Sequence, residues 1–210
     1  MKKKILQSIE EGITAIEQLK KPKSLFFIEQ TVEALVRCFR SGNKVLIAGN
    51  GGSLCDAAHF AEEFTGFFRR KRGALPAIAL SEPGFLSCVG NDLGFEYIFS
   101  RGVEALGKEG DLFVGLTTSG NSPNIVHGFR QAKERGLTSI AFLGRGGGKL
   151  KGVAELELII EGFETSDRIQ EAHMTAIHII LEMVEELLFP IHSEQESIEE
   201  EALVGGALLS

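Results

Sequence analysis

The chain has 210 residues, 43% of them hydrophobic, and a formal net charge of −7. It is long enough for one domain with a substantial core, and its acidic balance argues against a general nucleic-acid binder, which usually carries a basic face over the whole domain. No apolar run approaches the ~20 residues of a transmembrane helix, and Met1-Lys2-Lys3-Lys4 leads into an amphipathic helix rather than a signal peptide, so we expect a cytoplasmic protein.

The cysteines and the basic residues give two further expectations. Cys38, Cys55 and Cys88 are odd in number and widely spaced, which predicts reduced thiols and neither a disulfide framework nor a cysteine-based zinc site. The dense basic cluster is Arg69-Arg70-Lys71-Arg72. We interpret it as a solvated loop or helix end, with contact to an anionic substrate as the alternative.

Two amphipathic helices open the predicted fold. Residues 24–41 repeat the apolar stripe of residues 3–20, which is formed by Ile5, Ile9, Ile13 and Ile16. The first strand follows these helices.

The first strand and the loop after it form the most informative stretch of the chain. Val45-Leu46-Ile47-Ala48 predicts a buried strand, Gly49-Asn50-Gly51-Gly52 a tight loop, and Ser53 the N-cap of the next helix. A helix N-terminus offers free backbone N–H groups, and glycines allow a phosphate or sugar to approach closely, so the stretch predicts an anion site. NAD and ATP fit poorly, because Leu54 stands where a dinucleotide motif needs a small residue and no Gly-Lys-Ser/Thr follows.

Strands and helices alternate along the rest of the chain. Apolar runs lie at 77–80, 112–116, 139–143 and 156–160, and helical patterns lie at about 100–107, 122–135 and 166–188. Alternation of this kind implies a parallel sheet with helices on both faces. The predicted fold class is α/β: a doubly wound five-stranded parallel sheet sandwiched by helices, preceded by two N-terminal helices. We expect one domain over residues 1–192 and an acidic C-terminal extension over residues 193–210.

A second polar loop follows the strand at 112–116, and ligands of such sheets bind beyond the carboxyl ends of the strands. Thr117-Thr118-Ser119-Gly120-Asn121-Ser122-Pro123 has four hydroxyls and leads into a helix, which makes a phosphate cradle without lysine. A Ser/Thr cap in a polar loop is the alternative for this segment alone. Two such loops in one sheet favour a phosphosugar site. The turn Gly144–Lys149 lacks P-loop spacing and is interpreted as a flexible connection.

Two helices carry candidate ligands or acid/base groups. His59 and Glu63 are four residues apart and share a helix face, so they can bind a metal ion or act as an acid/base couple, although the spacing is also common on solvated faces. The last long helix adds Gln170, His173 and His178. At ~100° per residue either histidine can lie beside Gln170, and a core or interface role remains open for both.

Assembled, these residues resemble the sugar isomerase (SIS) domain family and, within it, the phosphoheptose isomerases. The similarity extends from about residue 30 to residue 188. It rests on six motifs in order: Gly49-Asn50-Gly51-Gly52-Ser53, Cys55-Asp56-Ala57, His59-Phe60-Ala61-Glu62-Glu63, Cys88-Val89-Gly90-Asn91-Asp92, Thr118-Ser119-Gly120-Asn121-Ser122 and Asp167-Arg168-Ile169-Gln170-Glu171.

The resemblance implies a set of site residues. The residues that it implies for substrate binding are Asn50, Gly51, Gly52, Ser53, Glu63, Asn91, Asp92, Thr117, Thr118, Ser119, Ser122, Asp167 and Gln170. Thr117, Thr118, Ser119 and Ser122 would hold the phosphate. It also implies one zinc ion per subunit, bound by His59, Glu63, Gln170 and His178, and so selects His178 over His173.

The resemblance further implies an activity and an assembly. The activity is isomerisation of D-sedoheptulose 7-phosphate to D-glycero-D-manno-heptose 7-phosphate through an enediol, for the heptose of the lipopolysaccharide core. Glu63 would be the general base and His178 its acid/base partner. The assembly would be a homotetramer with sites at subunit interfaces, without nucleic acid or membrane. The alternative is a non-catalytic SIS-domain scaffold that binds the DnaA replication initiator, but such a scaffold has no chemical need for Glu63 and His178.

Overall fold

The five strands form one parallel sheet, as predicted. The computed structural model describes residues 1–190, so the predicted extension at 193–210 lies outside the described residues. The strands lie in the order β2-β1-β3-β4-β5. Their bounds are β1 Val45–Gly49, β2 Ala77–Ala79, β3 Leu112–Thr117, β4 Thr138–Gly144 and β5 Leu156–Ile160. Because the chain leaves β1 in one direction and β3 in the other, the carboxyl ends of these two strands flank the crevice in which such sheets bind ligands.

Helices cover both faces of the sheet. Their bounds are α1 Lys2–Glu17, α2 Pro22–Arg40, α3 Gly52–Thr65, α4 Pro83–Asp92, α5 Ile98–Leu106, α6 Pro123–Glu134 and α7 Ser166–Leu188. Side chains alternate along a strand, so Val45 and Ile47 join a core with α2, α3 and α7, whereas Leu46 and Ala48 join a second core with α5 and α6. The predicted doubly wound sandwich is confirmed.

The predicted stripe of α1 does not face the sheet. Ile5, Ile9, Ile13 and Ile16 are all exposed, and α1 packs on the domain through Gly12 and Ala15. Among the described residues, no helix is both long and apolar enough to cross a membrane.

Two local features differ from the sequence-based prediction. Helix α4 was not predicted, because Val89 is its only buried residue and the chain there lacks a strong apolar period. Ser53 is not the N-cap of α3: the helix begins at Gly52, and Gly51 is the N-cap with a φ of 55°. A positive φ suits glycine, so Gly51 takes the N-cap position that the prediction assigned to Ser53, while the predicted tight loop is present. The three cysteines are free thiols, as predicted.

Candidate active site

A cavity of about 430 Å³ lies between the loops that follow β1 and β3. It is lined by Asn50, Gly51, Gly52, Ser53, Leu116, Thr117, Thr118, Ser119, Ser122, Ser166 and Gln170. The first loop and the hydroxyl-rich loop therefore meet in space, as the sequence predicted. The start of α7 completes the wall.

The first loop is held close to α7. A Cβ atom added to Gly52 would lie 2.7 Å from Nε2 of Gln170, so a larger residue there would displace the Gln170 amide. Gln170 Nε2 also donates a hydrogen bond of 3.3 Å to Ser53 Oγ. Asn50 and Asn124 exchange two side-chain hydrogen bonds of 2.9 and 2.8 Å, which tie this loop to the start of α6.

The second loop gathers hydroxyls at the N-terminus of α6. Thr117 Oγ1 lies 3.1 Å from Ser122 Oγ, and Thr118 Oγ1 lies 2.9 Å from Ser166 Oγ. Ser122 occupies the N-cap position, but its side chain makes no capping hydrogen bond. The alternative role of a helix cap therefore does not account for the hydroxyl of Ser122. Hydroxyl donors and a helix N-terminus together suit a phosphate.

The turn at 144–149 packs against this loop. Lys149 N donates to Asn121 Oδ1 at 3.1 Å, and Leu150 N donates to Gly120 O at 3.2 Å. Its interpretation as a flexible connection is wrong, because these bonds make it a support of the hydroxyl-rich loop. Arg145 in this turn has a φ of 50° and places its guanidinium 3.3 Å from Ser166 Oγ. A positive charge thus lies beside a loop that has no lysine.

A second cluster joins α3 to α7. His59 Nε2 lies 3.1 Å from His178 Nε2 and 3.6 Å from Glu63 Oε1. His59 Nδ1 lies 3.4 Å from Glu62 Oε1 on the opposite side of the ring. A carboxylate at Nδ1 fixes a histidine with its Nε2 toward the centre, which is how metal-binding histidines are commonly oriented.

His178, not His173, joins this cluster. His173 is fully buried, with Nε2 2.9 Å from Leu143 O, and burial lowers its pKa to about 4. The pKa of His178 is lowered by burial and by the positive charges of His59 and Arg69, against the opposing effect of Glu63. A neutral imidazole can bind a metal ion or accept a proton.

The remaining predicted residues lie apart from the cluster in this chain. Gln170 lies ~12 Å from His178 along the axis of α7, at ~1.5 Å per residue, and its amide contacts Ser53. Asn91 and Asp92 are exposed at the end of α4 and hydrogen-bonded to each other at 2.7 Å. Asp167 is exposed and paired with Arg168 at 3.2 Å. Asn91, Asp92 and Asp167 do not line the cavity.

The donor set fits zinc. Ligand atoms ~2.0–2.1 Å from a tetrahedral ion lie ~3.3–3.4 Å from one another, and the distances of 3.1 and 3.6 Å from His59 Nε2 to His178 and to Glu63 bracket that value. The described residues whose ligand atoms all lie within 4.8 Å of one another are His59, Glu62 and Glu63, so His178 would move toward Glu63 on binding the ion. Two histidines with one glutamate are a known catalytic zinc set, which leaves the fourth position open. Gln170 would have to leave Ser53 to become a fourth ligand.

Several residues of the site were missed from the sequence. Glu62 could have been found by its three-residue spacing from His59, whereas Ser166 and Asn124 gave no pattern. Phe68 stacks on His178, with ring centroids 5.6 Å apart.

The interpretation of the basic cluster as solvated is wrong for Arg72, whose side chain is 2% exposed and is paired with Glu185.

The fold and the two polar loops define a sugar isomerase (SIS) domain. The sequence profile of the SIS domain matches residues 9–144. The chain belongs to this family. Its similarity to several phosphoheptose isomerases places it in that group.

A phosphoheptose isomerase of Fusobacterium nucleatum is 56% identical over 168 residues, which are 80% of this chain and 86% of that protein. One of Vibrio cholerae is 50% identical over 75% of this chain and 83% of its own length. The solved structure of a phosphoheptose isomerase from Neisseria gonorrhoeae has a TM-score of 0.82 and 35% identity, and the match covers 88% of this chain and 98% of that one.

Proposed function

We propose that the chain isomerises D-sedoheptulose 7-phosphate to D-glycero-D-manno-heptose 7-phosphate in the cytoplasm, for lipopolysaccharide core heptose. One observation carries the proposal: the same two helices, α3 and α7, border the hydroxyl-lined cavity at their N-termini and carry the His59–Glu63–His178 cluster further along. A phosphate site and an acid/base site are therefore connected by one rigid pair of helices.

The separation of the two sites suits the substrate. Ser53 and His59 are six residues apart, or ~9 Å along α3 at ~1.5 Å per residue. An extended seven-carbon chain with a terminal phosphate spans roughly 10 Å, on bonds of ~1.5 Å. A sugar whose phosphate lies in the cavity can thus place C1 and C2 at the cluster.

The residues divide into binding and proton-transfer roles. Thr117, Thr118, Ser119 and Ser122 bind the phosphate with the N-terminus of α6, and Arg145 supplies positive charge nearby. Glu63 removes the proton from C1 of the ketose and returns it to C2, and for this step it would leave the metal ion, because a metal-bound carboxylate is a weaker base. His178 moves the proton between the oxygens on C1 and C2, which completes the enediol and then the aldose.

The cluster is proposed to hold one zinc ion per subunit through His59, Glu63 and His178. Gln170 lies ~12 Å from His178 along α7 in the same chain, so as the fourth ligand it would come from another subunit of the proposed assembly. Bound zinc would stabilise negative charge on the substrate oxygens as a Lewis acid. Glu62 orients His59 from behind.

The protein is proposed to be a homotetramer with sites at subunit interfaces. Support comes from α1, which exposes five large apolar side chains to solvent: Ile5, Leu6, Ile9, Ile13 and Ile16. Asn91, Asp92 and Asp167, which do not line the cavity of their own chain, would reach the sugar across such an interface.

The proposal is tested by incubating zinc-loaded protein with D-sedoheptulose 7-phosphate and following the aldoheptose 7-phosphate by NMR. The proposed function predicts conversion to an equilibrium mixture of ketose and aldose. Tight binding of the sugar phosphate without conversion would refute it and favour the non-catalytic scaffold. Light scattering of the same sample measures the assembly, and a monomer would contradict the tetramer.

A further inference from the structure

The segment between α3 and β2 is fixed to α7 by one buried carboxylate. Residues 67–76 form neither helix nor strand, yet Glu185 on α7 accepts hydrogen bonds from Phe68 N at 3.3 Å and Arg69 N at 3.0 Å. The same carboxylate accepts from Arg72 Nε at 2.9 Å. Both side chains of this ion pair are almost completely buried, at 2% exposure for Arg72 and 3% for Glu185.

The guanidinium of Arg72 also closes the end of α3. Its Nη2 donates to Glu63 O at 2.8 Å, and its Nη1 donates to Phe64 O at 3.0 Å and Gly66 O at 3.2 Å. These carbonyls belong to the last turn of α3 and the residue after it, where a helix leaves acceptors unsatisfied and favours positive charge. The ion pair therefore joins α3, the connecting segment and α7 at one point.

The segment held in this way lies against the imidazole of His178. The Phe68 ring is stacked on that imidazole, with centroids 5.6 Å apart and an angle of 23° between planes. His59 contacts the imidazole edge-on, with centroids 5.3 Å apart. Glu182 and Glu185 lie four and seven residues after His178, on the same face of α7, and Glu182 pairs with Arg69.

We propose that the buried Arg72–Glu185 pair is a positioning device for His178, acting through the ring of Phe68. The pair fixes the backbone of residues 68 and 69, and the fixed backbone holds the Phe68 ring on one side of the imidazole. With Phe68 on one side and His59 at the edge, the imidazole keeps its Nε2 directed into the cluster. Arg72, Glu185 and Phe68 are thus positioning residues, and their catalytic consequence rests on the proposed isomerase function.

This arrangement explains why a charge pair occupies the core here. Apolar residues of similar volume commonly stabilise a core at least as well as a buried ion pair, so stability alone does not require the pair. The carboxylate instead satisfies backbone donors of an irregular segment and the guanidinium satisfies carbonyl acceptors at the end of α3, which apolar side chains cannot do. The segment keeps one conformation as a result.

The first test removes the ring without touching the ion pair. Phe68→Leu is compared with Phe68→Tyr, which keeps the ring, and with Phe67→Leu, which alters the exposed neighbour. In metal-free protein, ring-proton NMR signals of His178 should shift in Phe68→Leu and stay in place in both other variants. In the isomerase assay, kcat of Phe68→Leu should fall by about tenfold or more with KM nearly unchanged, because small misplacements of a reacting group are costly.

The second test acts on the pair itself. Glu185→Gln weakens it, and the double variant Arg72→Met with Glu185→Leu leaves no unpaired buried charge if the single variant fails to fold. The proposal predicts that the His178 signals shift as they do in Phe68→Leu. Added zinc should restore neither these signals nor kcat. A folded double variant whose His178 signals and kcat match those of the unmodified protein would overturn it. The NMR readout needs no turnover, so it distinguishes failure of the positioning device from failure of the proposed function.

Discussion

His59 Nε2 and His178 Nε2 lie 3.1 Å apart, although 119 residues separate them in the chain. The contact joins the helix after the first polar loop to the last helix of the domain. Two imidazole nitrogens at this distance can share one hydrogen or face one cation. With Glu63 3.6 Å from His59, the pair defines the centre of the proposed chemistry.

Substitution of either histidine should weaken zinc binding. His59→Gln and His178→Gln are each expected to lower the affinity of the metal-free protein for zinc by about 100-fold, because each removes one of three ligands. Isothermal titration calorimetry measures this affinity. His127→Gln, a half-buried histidine on α6, is the matched control and should bind zinc like the unmodified protein. Equal affinity in all four proteins would place the metal elsewhere.

Glu62 should influence zinc binding without touching the ion. Its carboxylate lies 3.4 Å from His59 Nδ1, so Glu62→Gln removes the charge that orients the ring. We expect a loss of zinc affinity of about tenfold, at the lower end of what such outer partners contribute. Glu29→Gln on the exposed side of α2 controls for the loss of one acidic group. Identical titrations of the two variants would contradict the orienting role.

The phosphate site can be probed through Thr117, whose hydroxyl lies 3.1 Å from that of Ser122. Thr117→Val keeps the side-chain shape and removes one hydrogen-bond donor to a charged ligand, which costs about 1.5–3 kcal/mol. KM for the sugar phosphate and the dissociation constant for inorganic phosphate should therefore rise by about tenfold or more. Thr138→Val, at the opposite end of the parallel sheet, should change neither value. If the two variants behave alike, the phosphate binds at another place.

Acid should destabilise the protein partly through His173. Its folded-state pKa of about 4 lies below the ordinary value of 6.5, so the unfolded chain takes up the proton first. The corresponding stability is fully present above pH ~6.5 and is lost as the pH falls toward ~4. Between about pH 7 and pH 5, metal-free protein should lose ~2 kcal/mol more unfolding free energy than His173→Gln, as measured by urea titration. Parallel curves for the two proteins would contradict this.

The sheet and the polar loops were predictable because their signals are local. Runs such as 156–160 are apolar and short, and the loops after β1 and β3 follow directly from strand ends, so topology brings them together. The four-residue spacing of His59 and Glu63 likewise fixed their common face. Helix α4 was missed because Val89 is its only buried residue and its sequence lacks a strong apolar period. The turn at 144–149 was misinterpreted because its hydrogen bonds to the hydroxyl-rich loop join residues far apart in the chain.

The convergence of α3 and α7 could not be predicted from spacing. The angular positions around α7 allowed either His173 or His178 to lie beside Gln170. Only packing shows that His173 faces Leu143 while His178 faces His59. Arg72 was interpreted as part of a solvated basic cluster, because its burial depends on Glu185, which is 113 residues away in the chain. Partners so distant leave no local pattern.

The most direct measurement compares the isomerisation rates of Glu63→Gln and Glu134→Gln, both loaded with zinc and checked for unchanged folding and assembly. Glu134 lies at the end of α6, away from the residues assigned to the site. The account predicts that Glu63→Gln loses at least about 100-fold in kcat, because a general base contributes 10²–10⁴-fold, while Glu134→Gln keeps the rate of the unmodified protein. Turnover by folded Glu63→Gln at the unmodified rate would contradict the assignment of the catalytic base.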